Sequence, residues 1–188
     1  MRPFSASVRL VILGKCLMKK FILFAAAALS SSTAFAGPQY IDETNFAVSG
    51  HDVVAYFGLE QSAVGAPQPK AVAGKIEITA DYNGATFAFS NAANRDAFMA
   101  NPAKYIPQFD GHCAYGVAKG GKVPANPNLW RIVDGKLYLN ITENVVSFWE
   151  EDITQNISLA NSNWNDLEPK RASKRTIPSY TSNAPTVD

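Results

Sequence analysis

The chain has 188 residues, 17 basic and 16 acidic side chains, a formal net charge of +1 and a hydrophobic share of 47%. Five of the basic residues and none of the acids fall in residues 1–36, so residues 37–188 carry 12 basic against 16 acidic side chains. A stretch of that length supports one domain with a real core, and its mildly acidic balance excludes nucleic acid as a partner.

In chain order, the first signal is a targeting one. Lys19 and Lys20 precede an apolar run from Phe21 to Leu29, small residues follow, and Ala34-Phe35-Ala36 has the form of a signal-peptidase site. Residues 1–36 therefore read as a signal peptide cleaved after Ala36, with Met18 as the expected true start. The apolar run is far shorter than the roughly 20 residues a bilayer span needs, so no integral membrane segment is expected after cleavage. The expected compartment is the periplasm or the exterior of a bacterial cell. Cys16 leaves with the leader, and Cys113 becomes the mature chain's one cysteine.

Asp52 reads as a helix cap opening one turn over 53–57, and residues 58–73, rich in Gly, Ala, Pro and Gln, as a loop. A strand over 75–79 alternates apolar and polar residues. Asn83-Gly84 then turns into a second strand over 85–89, the strongest short hairpin signal a sequence offers. Ser90 or Asn91 caps a helix through Met99, which Asn101-Pro102 stops, and residues 102–106 restart a short helical turn. Downstream, strands over 130–133 and 136–139 flank Asp134-Gly135, a second two-residue turn. Asn140 and Glu143 have capping-box spacing. They open a helix in which Val146, Trp149, Ile153, Ile157, Ala160 and Trp164 form one apolar stripe, which makes the tryptophans packing residues. Residues 168–188 turn polar and basic and read as a flexible, solvated tail; contact with a polyanion or a membrane surface is the second reading of its charges. The expected fold class is α+β, a small antiparallel sheet built from two hairpins with helices packed on one face and a C-terminal amphipathic helix.

Several motifs occur in one order: Gly50-His51-Asp52-Val53-Val54-Ala55-Tyr56-Phe57, Tyr82-Asn83-Gly84, Phe87-Ala88-Phe89-Ser90, Arg95-Asp96-Ala97-Phe98, Asn101-Pro102-Ala103-Lys104-Tyr105, Gly111-His112-Cys113-Ala114-Tyr115-Gly116 and Asp134-Gly135-Lys136-Leu137-Tyr138. In this order the chain resembles the exported YHS-domain proteins over nearly all of residues 41–167. The resemblance implies a YHS-type domain at 37–167 with its core motif at 74–120. Short YHS domains carry cysteines after the aromatic strand and are thought to bind heavy metals. The corresponding positions here are Ser90 and Asn94, whose neutral oxygens are poor ligands for soft ions.

The thiol and imidazoles left to residues 37–188 are Cys113, His112 and His51. A thiolate with two imidazoles suits copper or zinc, so these three are the candidate metal ligands, with Cys113 as the anionic one. His112 and Cys113 are adjacent and would point to opposite faces of a regular strand, so sharing an ion requires irregular backbone, which Asp110-Gly111 permits. The alternative for Cys113 is a small buried core residue. The function expected is a metal-handling accessory protein that binds a transition metal or a small ligand. Two alternatives stand beside it: a thiol-dependent enzyme or redox protein with Cys113 as nucleophile, and a structural or interaction module in which Cys113 only packs.

Overall fold

The two Asn/Asp-Gly turns organise the molecule. In the computed structural model, which describes residues 38–171, 176–178 and 180–184, Asn83-Gly84 and Asp134-Gly135 have positive φ at both positions (47° and 74°; 49° and 71°). That is the backbone whose twist matches two paired strands. Around them β1 (Lys75–Tyr82) pairs antiparallel with β2 (Ala85–Phe89), and β3 (Asn126–Val133) with β4 (Lys136–Asn140). The chain is α+β, as expected, but the hairpins form two separate two-stranded sheets rather than one sheet. Each hairpin breaks register on its first strand, between Lys75 and Thr79 and between Asn126 and Trp130. Such irregularities bend a strand away from continued pairing. The expected signal peptide at 1–36 lies outside the described residues.

After β2, α1 (Ala92–Ala100) is capped by Asn91, whose side chain accepts from Asn94 N, and α2 (Pro102–Tyr105) restarts at Pro102. A short α3 (Ala114–Ala118) follows the Gly111-His112-Cys113 motif. The single long helix read from residue 140 onward is in fact two, α4 (Glu143–Glu150) and α5 (Ile153–Leu167), each with its own cap, Thr142 and Asp152. Asp152 accepts from Gln155 N and so starts a second helix inside the apolar stripe. Asn140 does not cap; it ends β4, buried. Among the described residues no helix is long and apolar enough to cross a membrane.

One core cluster gathers Phe87, Phe89 and Phe98 with Trp130, Leu137 and Cys113. Phe98 of α1 meets Phe87 and Phe89 with ring centroids 4.8 and 5.1 Å apart, each buried ring contributing on the order of 1.5–3 kcal/mol. A second cluster packs α3 and α5 around Phe109, Trp149 and Ala160. The 58–73 loop is tied down by a buried ion pair: Arg131 donates to Glu150 (2.8 Å) and to the carbonyls of Ser62 and Ala63, while Glu150 accepts from Gly65 N.

Candidate functional site

The backbone before Cys113 is as irregular as a shared ion would require. Phe109, Asp110 and Gly111 are all left-handed (φ 57°, 54° and 81°), and His112 then returns to extended backbone. The irregularity ends before the pair, and the open backbone of His112 and Cys113 (φ −80°, ψ 161° and φ −60°, ψ 117°) directs the two side chains apart. Cys113 joins the first core cluster at 0% exposure, whereas the His112 ring lies against Tyr40 (5.2 Å) and Trp164 (6.2 Å) beside the second.

Cys113 is the N-cap of α3. Its Sγ accepts from Gly116 N (3.4 Å), and its S–H points at Asn140 Oδ1 (3.5 Å), which also accepts from Tyr115 N (3.1 Å). Burial pushes the thiol up to about 11, against weaker opposition from the surrounding amides. Its neighbours are close: a Cβ on Gly116 would sit 2.8 Å from Val123 Cγ2, and Cys113 N donates to Val123 O.

His112 Nδ1–H donates to Phe109 O (2.9 Å), which leaves Nε2 as a bare acceptor, buried and without a partner among the described residues. Burial brings this imidazole down to about 4. Gln39 Oε1 and Asp110 Oδ2 are likewise buried and unpartnered there, and Gln39 Nε2 donates to Asp110 Oδ1 (3.0 Å). Burial raises the Asp110 carboxyl to about 7.

His51 is elsewhere. Its ring nitrogens meet Val48 O (3.1 Å) and Asn183 Oδ1 (3.0 Å), the Tyr180 hydroxyl lies 3.5 Å from Nδ1, and burial lowers its pKa. The segment expected as solvated tail thus docks in part, since Ser182 also donates to Ser49 O (2.8 Å). The structure does not gather Cys113, His112 and His51: among the described residues no group of three His, Cys, Asp or Glu side chains is arranged to hold a metal.

Ser90 and Asn94, by contrast, serve a buried carboxylate. Asp52, at 0% exposure, lies just before the turn over Ala55–Gly58, and its Oδ1 accepts from Val54 N and Ala55 N. Its Oδ2 accepts from Ser90 N (2.8 Å), Ser90 Oγ (2.6 Å) and Asn94 Nδ2 (2.7 Å). Ser90 and Asn94 therefore hold a buried carboxylate.

Beside Cys113 opens a cavity of about 700 Å³, within the range of small-molecule sites. Its apolar wall includes Tyr115, Val123, Ile141, Val145 and Leu167. Its charged lining is Lys119, Lys122, Lys170 and Arg171, with no carboxylate among the described residues that line it. Reading the sequence by motif missed these four. The available signal was the pair of lysines flanking Gly120-Gly121, together with a basic run assigned to the tail. In comparisons with family models, curated proteins and solved structures, the chain matched none.

Proposed function

We propose that this chain is an exported YHS-type binding protein that holds a small ligand in the cavity beside Cys113 without carrying out chemistry on it. The observation that carries the reading is the cavity itself: about 700 Å³, walled by apolar side chains and lined by one sign of charge, next to the Gly-His-Cys motif. The thiol-enzyme alternative is disfavoured on physical grounds. A nucleophilic cysteine has its pKa lowered and a base at hand, whereas burial raises Cys113 to about 11 and its S–H faces an amide oxygen. Val145→Trp, which places a bulky ring against the apolar wall of the cavity, tests the reading. A fluorescent apolar probe that binds the wild type with one-to-one stoichiometry loses binding in the variant; undiminished binding refutes it.

A transition ion is the second reading, and one observation favours it. His112 offers a bare Nε2 whose partner nitrogen is oriented by a backbone carbonyl, the arrangement usual for ligating imidazoles. Titration with Cu(II), followed by quenching of tryptophan fluorescence, tests it, because Trp164 lies 6.2 Å from this ring. Saturable quenching at one ion per chain, absent from His112→Gln, supports the ion; equal quenching in both proteins removes it.

A further inference from the structure

The lining of the cavity carries more information than its volume. We infer that it takes an organic anion with an apolar body, an inference that rests on the cavity being a ligand site. The cations come from two distant parts of the chain. Lys119 leaves the end of α3, and its ammonium lies 4.9 Å above the Tyr115 ring. Lys170 and Arg171 arrive from beyond α5.

Lys122 fixes where they arrive. Its ammonium donates to Glu168 O (2.8 Å) and Lys170 O (3.2 Å) and lies 5.2 Å above the Trp164 ring, while Lys170 N donates to Leu167 O (2.9 Å). Lys122 is thus occupied in holding the chain after α5, and it feels the carboxylates of Asp110 and Glu168. The charges left to meet a ligand are those of Lys119, Lys170 and Arg171. Three like charges around one opening repel each other, and an anion between them relieves that repulsion. Arg171 adds a planar fork suited to carboxylate, sulfonate or phosphate oxygens.

The opposite requirement comes from the apolar wall. Val123, Ile141, Val145 and Leu167 have no use for an inorganic ion and gain only from an apolar body that displaces water from them. A charged head with an apolar body satisfies both halves. A neutral apolar molecule would make no use of the cations, and free phosphate would leave the wall wet.

Anilinonaphthalenesulfonate and phenylnaphthylamine share the same aromatic body and differ by the sulfonate, so they separate the two requirements. Residues 37–188 are titrated with each dye, and with inorganic phosphate as competitor. The sulfonate is expected to bind at least about tenfold more tightly than the neutral dye, from one charge-assisted contact, and to weaken as salt is raised. The double variant Lys170→Gln, Arg171→Gln, which leaves Lys119 as the one remaining ligand-facing charge, is expected to cut that preference at least severalfold with the thermal midpoint unchanged. Lys136→Gln, at the exposed first position of β4, is expected to change nothing and so separates local from net charge. Equal affinity for the two dyes, unaffected by the double variant, overturns the anion inference while the cavity stands as a ligand site. Binding of neither dye defeats the cavity reading itself. Displacement of the sulfonate by phosphate at comparable concentration overturns the requirement for an apolar body.

Discussion

Asp52 offers the sharpest test of how this fold is held together. Its carboxylate is fully buried and accepts five hydrogen bonds, from Val54 N, Ala55 N, Ser90 N, Ser90 Oγ and Asn94 Nδ2, at 2.6–3.1 Å. Bonds to a charged acceptor contribute about 1.5–3 kcal/mol each, and a donor left unsatisfied in the interior costs about 1–3 kcal/mol. Asp52→Ala removes the acceptor from all five donors at once. Some of these donors regain water, so the contributions do not add fully, and the expected loss is about 4–5 kcal/mol. That is a large fraction of the 5–15 kcal/mol typical of a domain. Urea unfolding followed by tryptophan fluorescence reads the loss directly. Ser90→Cys with Asn94→Cys takes away only the two side-chain donors and is expected to cost about 2–4 kcal/mol. A loss below about 1 kcal/mol in Asp52→Ala would show that the carboxylate is not the link between the Gly-His-Asp segment and α1.

Three further outcomes follow from the same geometry. In folded protein at pH 8, Cys113 is expected to resist iodoacetamide while the urea-unfolded chain is labelled fully, because burial holds the thiol protonated with a pKa of about 11; equal labelling rates by mass spectrometry would refute its burial. Asp110, at about 7 when folded against 3.8 ordinarily, keeps a proton that the unfolded chain releases, so its contribution to stability falls as pH rises from about 4 to 7. His112, at about 4 against 6.5, refuses a proton that the unfolded chain binds, so its contribution rises from about pH 4 to 6.5. Asp110→Asn is therefore expected to convert opposed slopes into a net rise across that window, with its advantage over wild type greatest above pH 7; parallel profiles in chemical denaturation would sink this reasoning. Truncation after Arg175 removes Asn183 and Tyr180 from the His51 ring, and its NMR titration is expected to move upward toward 6.5 as water returns; an unchanged midpoint would mean that the tail does not cover it.

How much of this was legible in the sequence depends on whether a feature is written locally. Both hairpin turns were, because a positive φ at two successive positions is demanded by strand twist and met by Asn-Gly or Asp-Gly. The stop at Asn101-Pro102 was legible in the same local way, and Asp52 was legible as an acceptor for the amides after it, although the helical turn starts at Ala55, with Val54 rather than Asp52 at its cap. Where the reading went past local chemistry it failed. A single apolar stripe from Val146 to Trp164 gave no warning of two helices, since the break is made by the Asp152 cap and the stripe runs through it. The two hairpins share a core yet pair as separate sheets, and neither that separation nor the register break in each first strand leaves a pattern in residue type.

The site divides along the same line. Cys113, His112 and His51 could be singled out by elimination, but donor chemistry alone does not bring them together: the left-handed run ends at Gly111, and His112 and Cys113 direct their side chains to different clusters. The cavity lay further out of reach. Nothing in residue type separates Lys119, which lines it, from Lys136, which sits exposed at the start of β4. What makes the difference is Lys122 holding the chain beyond α5 against the turn that follows α3, a contact spanning 46 to 48 residues. One lysine thereby sets the position of another cation and the opening of the cavity, so the charge pattern of the site is a consequence of tertiary packing that a local reading assigns to a solvated tail.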